Sequence, residues 1–213
     1  MSVVRTFAVA ATAAVVTIPL AGATAAQAGS THRPSTAHHA TADKRGATYL
    51  VLTGGRTTLA LDKKTAGALS SNGVTVTPAS EAKAGKAGIS FPIQGGLINA
   101  KTLAGNITHS GGLTFAAGGK SLTIRDFEVS TTKKALTAWV DEAGARIPVL
   151  NLKLGKAKVK ATAKHLMVTG IRATLQKGAA QALNGYFSTN LFTGGLAVGK
   201  VQVSASVKVL HHR

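Results

Sequence analysis

Apolar and polar residues alternate one by one in several parts of this chain, which is the pattern of β-strands with one buried face. The alternation is clearest in KVQVSASVKVL at residues 200–210, where Val or Ala stands at every second position and Lys, Gln or Ser lies between. Similar short runs are separated by glycine pairs, which are typical of turns. These pairs stand at 54–55, 95–96, 111–112, 118–119 and 194–195. The pattern predicts an all-β protein.

The alternation changes phase in PVLNLKLGKAKVKATA, at residues 148–163. Leucines at 150, 152 and 154 share one face, and the apolar residues at 157, 159 and 161 then take over. The slip at Gly155-Lys156 predicts a β-bulge or a tight turn. Lysines at 153, 156, 158, 160 and 164 form a comb along this segment. The comb either binds an anionic partner or discourages pairing between sheet edges, and the lack of interleaved aromatic residues favours the second.

Two segments have the pattern of short helices. Asp62 is a suitable N-cap for a run that ends at Asn72-Gly73. A second run extends from Gln176 to Asn184 and stops before Gly185. We therefore expect a single β-sandwich or a rolled antiparallel sheet, with two short helices at its periphery.

The first 28 residues have the composition of a signal peptide. Arg5 precedes an apolar stretch over residues 7–20, and Ala26-Gln27-Ala28 provides the small-x-small pattern that signal peptidase cleaves. Residues 29–46 contain almost no large apolar side chain, so we expect a flexible leader whose histidines are solvated. We expect the remaining residues, 47–210, to form a single β-rich domain. We expect a secreted protein without a transmembrane anchor after cleavage, either released or held noncovalently at the cell wall.

The chain is strongly basic, with 25 Lys and Arg against 7 Asp and Glu, and it contains no cysteine. The core must therefore stabilise the fold without disulfides. The positive charge favours anionic partners, and outside a cell these include wall polymers. Lysines that merely keep a β-rich surface soluble are the other explanation. We expect no specific nucleic-acid partner.

Signatures of hydrolytic enzymes are absent from the sequence. There is no Cys nucleophile, no G-x-S-x-G and no H-E-x-x-H. Gly119-Lys120-Ser121 imitates the end of a phosphate-binding loop, but Thr114 stands where its first glycine belongs. Carboxylates are few, and the irregular phase at Arg125-Asp126 indicates either a functional bulge or a local ion pair. We interpret the chain as a non-enzyme with no defined metal site.

The body of the chain contains two histidines and two tyrosines that could bind ferric haem iron: His109, His165, Tyr49 and Tyr186. His109 lies in NITHSGGLTF, which predicts a strand, a Ser-Gly-Gly turn and a second strand, with core residues at 107 and 113. A histidine at a strand end is either a ligand or a polar residue entering the turn, and the residues alone leave both open.

GNITHSGGLTFAAGGKSLTIRDFEV, GIRATLQKGAAQALNGYF and GGLAVGKVQVSAS resemble the HtaA-type domain of secreted actinobacterial proteins. The resemblance covers residues 88–206, and its matching positions are Gly105, His109, Gly111, Leu113, Thr174, Leu175, Ala179, Ala180, Leu183, Asn184, Phe192, Gly195, Gly199 and Val201. It implies a β-rich extracellular domain, of a kind that in several members binds haemin. The implied site uses a tyrosine near the domain start as axial ligand and the motif histidine as its assistant.

His109 occupies the histidine position of that implied site, and Tyr49 is the candidate for the tyrosine. The tryptophan-bearing segment that carries the tyrosine in the family has no counterpart here, and we expect Trp139 to belong to the core. The resulting hypothesis is a secreted, non-enzymatic binding module of the cell surface, related to haemin-binding domains, with His109 and Tyr49 at the haem. The alternative is a structural envelope protein that anionic wall polymers hold electrostatically, without a small-molecule ligand.

Overall fold

A computed structural model describes residues 47–211, which contain twelve strands and two helices. The strands are β1 (Thr48–Leu61), β2 (Thr75–Ala79), β3 (Lys83–Gly85), β4 (Gly88–Asn99), β5 (Gly105–His109), β6 (Gly112–Ala117), β7 (Lys120–Ser130), β8 (Ala135–Val140), β9 (Ala145–Lys153), β10 (Lys158–Ala161), β11 (His165–Leu175) and β12 (Ala197–His211). The helices are α1 (Lys63–Ser71) and α2 (Lys177–Phe187). The predicted signal peptide and leader lie outside the described residues.

Eight of the strands form a closed antiparallel barrel. They follow the order β7-β5-β4-β1-β12-β11-β9-β8, and β8 pairs again with β7. The prediction of an all-β fold is confirmed, and the sheet is rolled into a barrel instead of divided into the two layers of a sandwich. Closure removes the free edges of these eight strands. The four other strands extend from the barrel: β6 pairs with β7 and carries β2, β3 pairs with β4, and β10 pairs with β11.

The strand β12 shows why the alternating pattern predicts the core well. Val203, Ala205 and Val207 are buried in the barrel interior, whereas Lys200 and Ser204 are exposed on its outer face. Each side chain points to the face opposite to that of its neighbours, so the apolar set reaches the interior together. Burying these groups removes apolar surface from water and is the main stabilising term of the fold.

The segments β5 and β6 form one bent strand. Both pair with β7, β5 through residues 106–108 and β6 through residues 112–117. The predicted strand, Ser-Gly-Gly segment and strand are confirmed, with Ile107 and Leu113 buried. β7 has a matching bulge, because its register shifts between Arg125 and Glu128 and Asp126 has a φ of 52°. Asp126 also pairs with Arg125, so the bulge and the local ion pair are both present.

The segments β9 and β10 repeat this arrangement along β11. β9 pairs with residues 172–175 of β11, and β10 pairs with residues 166–169. The predicted slip is a tight turn in which the N–H of Ala157 donates to the carbonyl oxygen of Leu154 at 2.8 Å. Leu152 before the turn is buried, but Val159 after it is exposed. β10 therefore projects beyond the core as a flap.

The two helices lie at the barrel end where β1 and β11 finish. Asp62 caps α1 as predicted, because its carboxylate accepts from the N–H groups of Lys64 at 3.0 Å and Thr65 at 3.2 Å. The prediction that the second helix stops at Asn184 is wrong, since α2 continues to Phe187. The amide of Asn184 is engaged with the backbone of Phe192, donating at 2.7 Å and accepting at 2.9 Å, so it does not act as a helix terminator.

The prediction that Trp139 belongs to the core is wrong. Its neighbours Ala138 and Val140 are buried inside the barrel, so alternation turns Trp139 to the outer face, where it is half-buried. There it lies in register between Arg125 on β7 and Arg146 on β9. Within residues 47–211, no helix has the length and apolar character that crossing a membrane requires.

Candidate functional site

The barrel interior contains a cavity of about 310 Å³. Its wall is formed mainly by Leu, Ile, Val and Phe side chains from the barrel strands and from both helices. The few polar side chains in the wall are Thr57, Thr65, His109, Glu142 and Tyr186. A concave apolar site with a few converging polar groups is the usual form of a small-molecule site, and this volume lies at the small end of the range.

His109 is the strongest candidate for a ligand-binding side chain in this wall. It is the last residue of β5, its side chain points inward, and only 5% of it is exposed. Nδ1–H donates to the carbonyl oxygen of Phe127 at 3.3 Å, and the Thr57 hydroxyl donates to Nε2 at 2.7 Å. The assignment follows from chemistry, because a carbonyl oxygen can only accept and therefore requires the proton on Nδ1. Nε2 is consequently the basic nitrogen, and only the Thr57 hydroxyl occupies it.

Burial lowers the pKa of His109 from 6.5 to about 4, and the hydrogen bond to the Phe127 carbonyl offsets only part of that effect. Removing the imidazolium from water is costly, so the neutral form is favoured. His109 is therefore neutral at physiological pH. A neutral imidazole is the form that binds metal ions and haem iron.

Two aromatic rings lie beside His109 in the wall. Phe91 and Phe127 contact each other edge to face, with ring centroids 5.0 Å apart. Phe91 is the register partner of Thr57, and Ile93 on the same strand is the register partner of His109. The histidine thus projects from a wall of flat and branched apolar groups.

The structure does not bring Tyr49 and His109 together. Tyr49 precedes Thr57 by eight residues on β1, which corresponds to about 26 Å along a strand. Its neighbours Leu50 and Leu52 are buried, so Tyr49 faces the outside of the barrel, and it is not part of the cavity wall. A haem ligated by His109 would therefore not reach this tyrosine.

The position that faces His109 on β1 belongs to Thr57, which the sequence pattern did not single out. The register between β1 and β12 shifts between Leu52 and Gly54, so the inward positions change from even to odd residue numbers along β1. Leu50 and Leu52 point inward before the shift, and Thr57 and Leu59 do so after it. The Gly54-Gly55 pair predicts a turn, but in the structure it marks this irregularity within β1.

Of the other two candidates, Tyr186 reaches the cavity and His165 does not. His165 is exposed at the start of β11. Tyr186 lies on α2, and its hydroxyl donates to the carbonyl oxygen of Ser121 at the beginning of β7. Lys120 strengthens this contact, because its Nζ donates to the carbonyl oxygen of Tyr186 at 2.7 Å and to the Ser188 hydroxyl at 3.3 Å.

The exposed residues of the wall mark where the cavity opens. They are Glu142 and Ala143, between β8 and β9, and Ala182 on α2. The carboxylate of Glu142 accepts from the N–H of Thr123 at 3.0 Å, which holds it close to the start of β7. The mouth thus lies between the β8–β9 turn and α2, with Lys120 and Glu142 beside it.

The donor set at the site offers one nitrogen ligand. His109 would supply Nε2 if the Thr57 hydroxyl turned away. Tyr49 is not part of the cavity wall, and the Tyr186 hydroxyl donates to the carbonyl oxygen of Ser121. Among residues 47–211, no three His, Asp or Glu side chains are close enough together to hold a metal ion on their own. The site therefore suits a ligand that brings its own metal or none.

Neither a protein-family model nor a curated protein matches this sequence. Solved structures do. The C-terminal domain of HtaA from Corynebacterium glutamicum is 18% identical, with a TM-score of 0.56, over 74% of this chain and 99% of that one. The heme binding protein HtaB from the same organism is 8% identical, with a TM-score of 0.45, over 78% of this chain and 98% of that one. The first similarity shows that this chain has the HtaA-type fold, which confirms the predicted resemblance for the fold.

Proposed function

We propose that this HtaA-type domain is a non-enzymatic binding module that takes haemin into the interior of its barrel, with His109 as the protein ligand. The observation that carries the proposal is the apolar cavity that reaches a buried, neutral histidine. The haemin class comes from the HtaA-type resemblance of residues 88–206. The shared fold supports haemin as the ligand. The position of His109 within the motif that carries the resemblance supports it as well.

The wall of the cavity supplies the contacts that a flat apolar ligand requires. Phe91 and Phe127 provide ring surfaces beside His109, and aliphatic side chains fill the remaining wall. Haemin would supply a ferric iron, and His109 would hold it through a nitrogen. Lys120 stands at the mouth with a cationic head that can pair with acidic groups of a ligand. Tyr49 has no part in this site.

The carboxylates of the site region support binding instead of catalysis. Asp141 accepts from Arg125 at 2.7 Å on the outer surface, and Glu142 accepts from the backbone of Thr123. The partners of His109 are a hydroxyl and a carbonyl, and the hydrogen bond to the carbonyl raises the pKa of His109 too little to offset its burial. A histidine with a pKa of about 4 is also a weak general base at neutral pH.

Export is a further part of the proposal. Its support is the signal-peptide composition of residues 1–28, which ends at Ala26-Gln27-Ala28. The mass of the protein recovered from the culture medium and from the wall fraction of an exporting host tests it. We expect a mature chain that begins at Gly29, and an uncleaved chain in the cytoplasm would contradict export.

The experiment for the binding function is a haemin titration followed by Soret absorbance. We expect a saturable Soret shift in the unmodified protein and its loss in His109→Ala. Thr57→Val removes the hydroxyl that occupies Nε2, so this variant should bind haemin as tightly or more tightly. His165→Ala is the matched control, because it removes an exposed histidine far from the cavity wall, and it should titrate like the unmodified protein.

The far-ultraviolet circular dichroism of each variant shows whether the barrel is intact. A folded His109→Ala protein that gives the same shift as the unmodified protein would place haemin elsewhere and reject His109 as its ligand. A titration without saturation in the unmodified protein would reject haemin binding altogether.

A further inference from the structure

The charges of this chain are distributed unevenly along its sequence. After Glu142 there is no acidic residue to the end at Arg213, whereas this part contains eleven basic ones. They are Arg146, Lys153, Lys156, Lys158, Lys160, Lys164, Arg172, Lys177, Lys200, Lys208 and Arg213. All seven acidic residues precede residue 143. A charge asymmetry of this kind indicates an anionic partner for the basic part.

The barrel gathers three of these cations into one row. Arg172 on β11 is in register with Lys153 on β9 and with Lys200 on β12, and all three side chains are exposed on the outer face. Adjacent strands are about 4.8 Å apart, so the three residues span about 10 Å across the strands. We call Lys153, Arg172 and Lys200 the basic row. Lys158 and Lys160 on β10, which pairs with β11, are exposed as well.

Neither core packing nor edge protection explains the basic row. Like charges directly opposite each other on neighbouring strands destabilise a sheet. Lysines on an unpaired edge prevent strand addition, and this explains Lys158 and Lys160, because β10 pairs only with β11. Arg172 and Lys200 lie on strands that are paired on both sides, so they have no edge to protect. The two ion pairs found within residues 47–211 both belong to Arg125.

We propose that the basic row binds a linear phosphate polymer that lies across β9, β11 and β12. The guanidinium of Arg172 offers a planar fork for two phosphate oxygens, and the flanking lysines add compact charges. Gln202 and Ser204 are exposed beside Lys200 on the same face of β12 and can donate to further oxygens.

The polymer carries no nucleobases. Proteins that bind single-stranded nucleic acid stack its bases on aromatic side chains. The strands β9, β10, β11 and β12 contain no Phe, Tyr or Trp. The face therefore recognises the phosphate chain itself, and its affinity depends on the number of cations in the row.

The test measures the binding of inorganic polyphosphate to the full chain by isothermal titration calorimetry at several salt concentrations. A row variant carries Lys153→Gln, Arg172→Gln and Lys200→Gln. A matched control carries Lys83→Gln, Lys86→Gln and Lys101→Gln, three exposed residues on β3 and in the turns that flank β4, with the same change in net charge. We expect the row variant to lose at least about tenfold in affinity and the control to lose less than about threefold.

The salt dependence gives a second readout. Each phosphate contact that is removed lowers the slope of log K against log salt by about one, so the slope of the row variant should fall by about three. Equal losses of affinity in the two variants would overturn the proposal, because net charge alone would then explain the binding. Tighter binding of polyglutamate or of single-stranded DNA than of polyphosphate, compared at equal charge, would also overturn it. Unchanged thermal unfolding of the row variant shows that its fold is intact.

Discussion

Two strands of this barrel are bent in the same way and lead to opposite environments. Between β5 and β6 the bend buries His109, Gly111 and Gly112, with Ala82 packed close to Gly111. Between β9 and β10 the bend leaves Lys156 and Lys158 exposed. Both bends match an irregularity of the strand beside them, at Asp126 on β7 and at Gly170 on β11. The difference shows that a bend becomes part of a site only where other chain segments cover it.

The largest effect should come from adding one methyl group at the buried bend, and the same change at the exposed bend is the comparison. Gly111 has a φ of 81°, and a Cβ there would lie 2.6 Å from the backbone nitrogen of Ala82. Gly111→Ala should lower the free energy of unfolding by about 4 kcal/mol, from the left-handed backbone and the overpacking together. Gly170→Ala has a similar conflict, with a φ of 80° and 2.6 Å to the Lys156 carbonyl oxygen.

The exposed flap can shift away from the new methyl group at residue 170. Gly170→Ala should therefore lower the free energy of unfolding by only about 2 kcal/mol. Urea denaturation of the two variants measures the difference. Equal losses of stability at both bends would contradict the view that they differ because other chain segments cover only the first.

The second effect is a pH dependence that arises at the buried bend. His109 has a folded pKa of about 4 and an ordinary value of 6.5, so the unfolded chain takes up the proton first as the pH falls. The stabilisation from neutral His109 is therefore complete above pH 6.5 and is lost progressively as the pH falls towards 4. Its size is about 3 kcal/mol.

Urea denaturation at pH 7.5, 6, 5 and 4 measures this loss, and His109→Gln is the comparison because glutamine does not titrate. The variant should show a flatter profile between pH 6.5 and 4. The same slope in both proteins would assign the pH dependence to other groups.

The smallest effect on stability should come from the exposed bend. Replacing Lys158 and Lys160 by threonine removes charges from two exposed positions of the edge strand β10. We expect a change of less than about 0.5 kcal/mol in the free energy of unfolding. The soluble lifetime at high protein concentration should fall, because the edge loses its protection. Light scattering over time detects this loss, and a lifetime equal to that of the unmodified protein would argue against edge protection.

Much of the fold follows from local patterns. The alternation in residues 200–210 predicts which side of β12 is buried, and Asp62 predicts the start of α1. NITHSGGLTF predicts two strands with His109 at the end of the first. These features depend on interactions between residues that are close in sequence. They can therefore be predicted without knowing which strands are neighbours in the sheet.

The candidate site depends on contacts between residues that are far apart in the sequence. His109 was chosen from its motif, but its partners Thr57 and the Phe127 carbonyl come from strands 52 and 18 residues away in the chain. Its position near the domain start makes Tyr49 a candidate, but a register shift on β1 lies between it and the site. The residue type of Trp139 predicts a core position, but alternation on β8 places its side chain on the outer face.

The sequence by itself determined that this protein is rich in β-strands, is strongly basic, and has a histidine at a strand end in an HtaA-type motif. Only the tertiary structure decided that the sheet closes into a barrel, that the histidine lies inside it beside a cavity, and that the row of cations lies outside. The physical reason is that alternation specifies two faces of a strand but not which strands become neighbours. Closure and bulges set those neighbours, and they decide which side chains share a cavity or a surface.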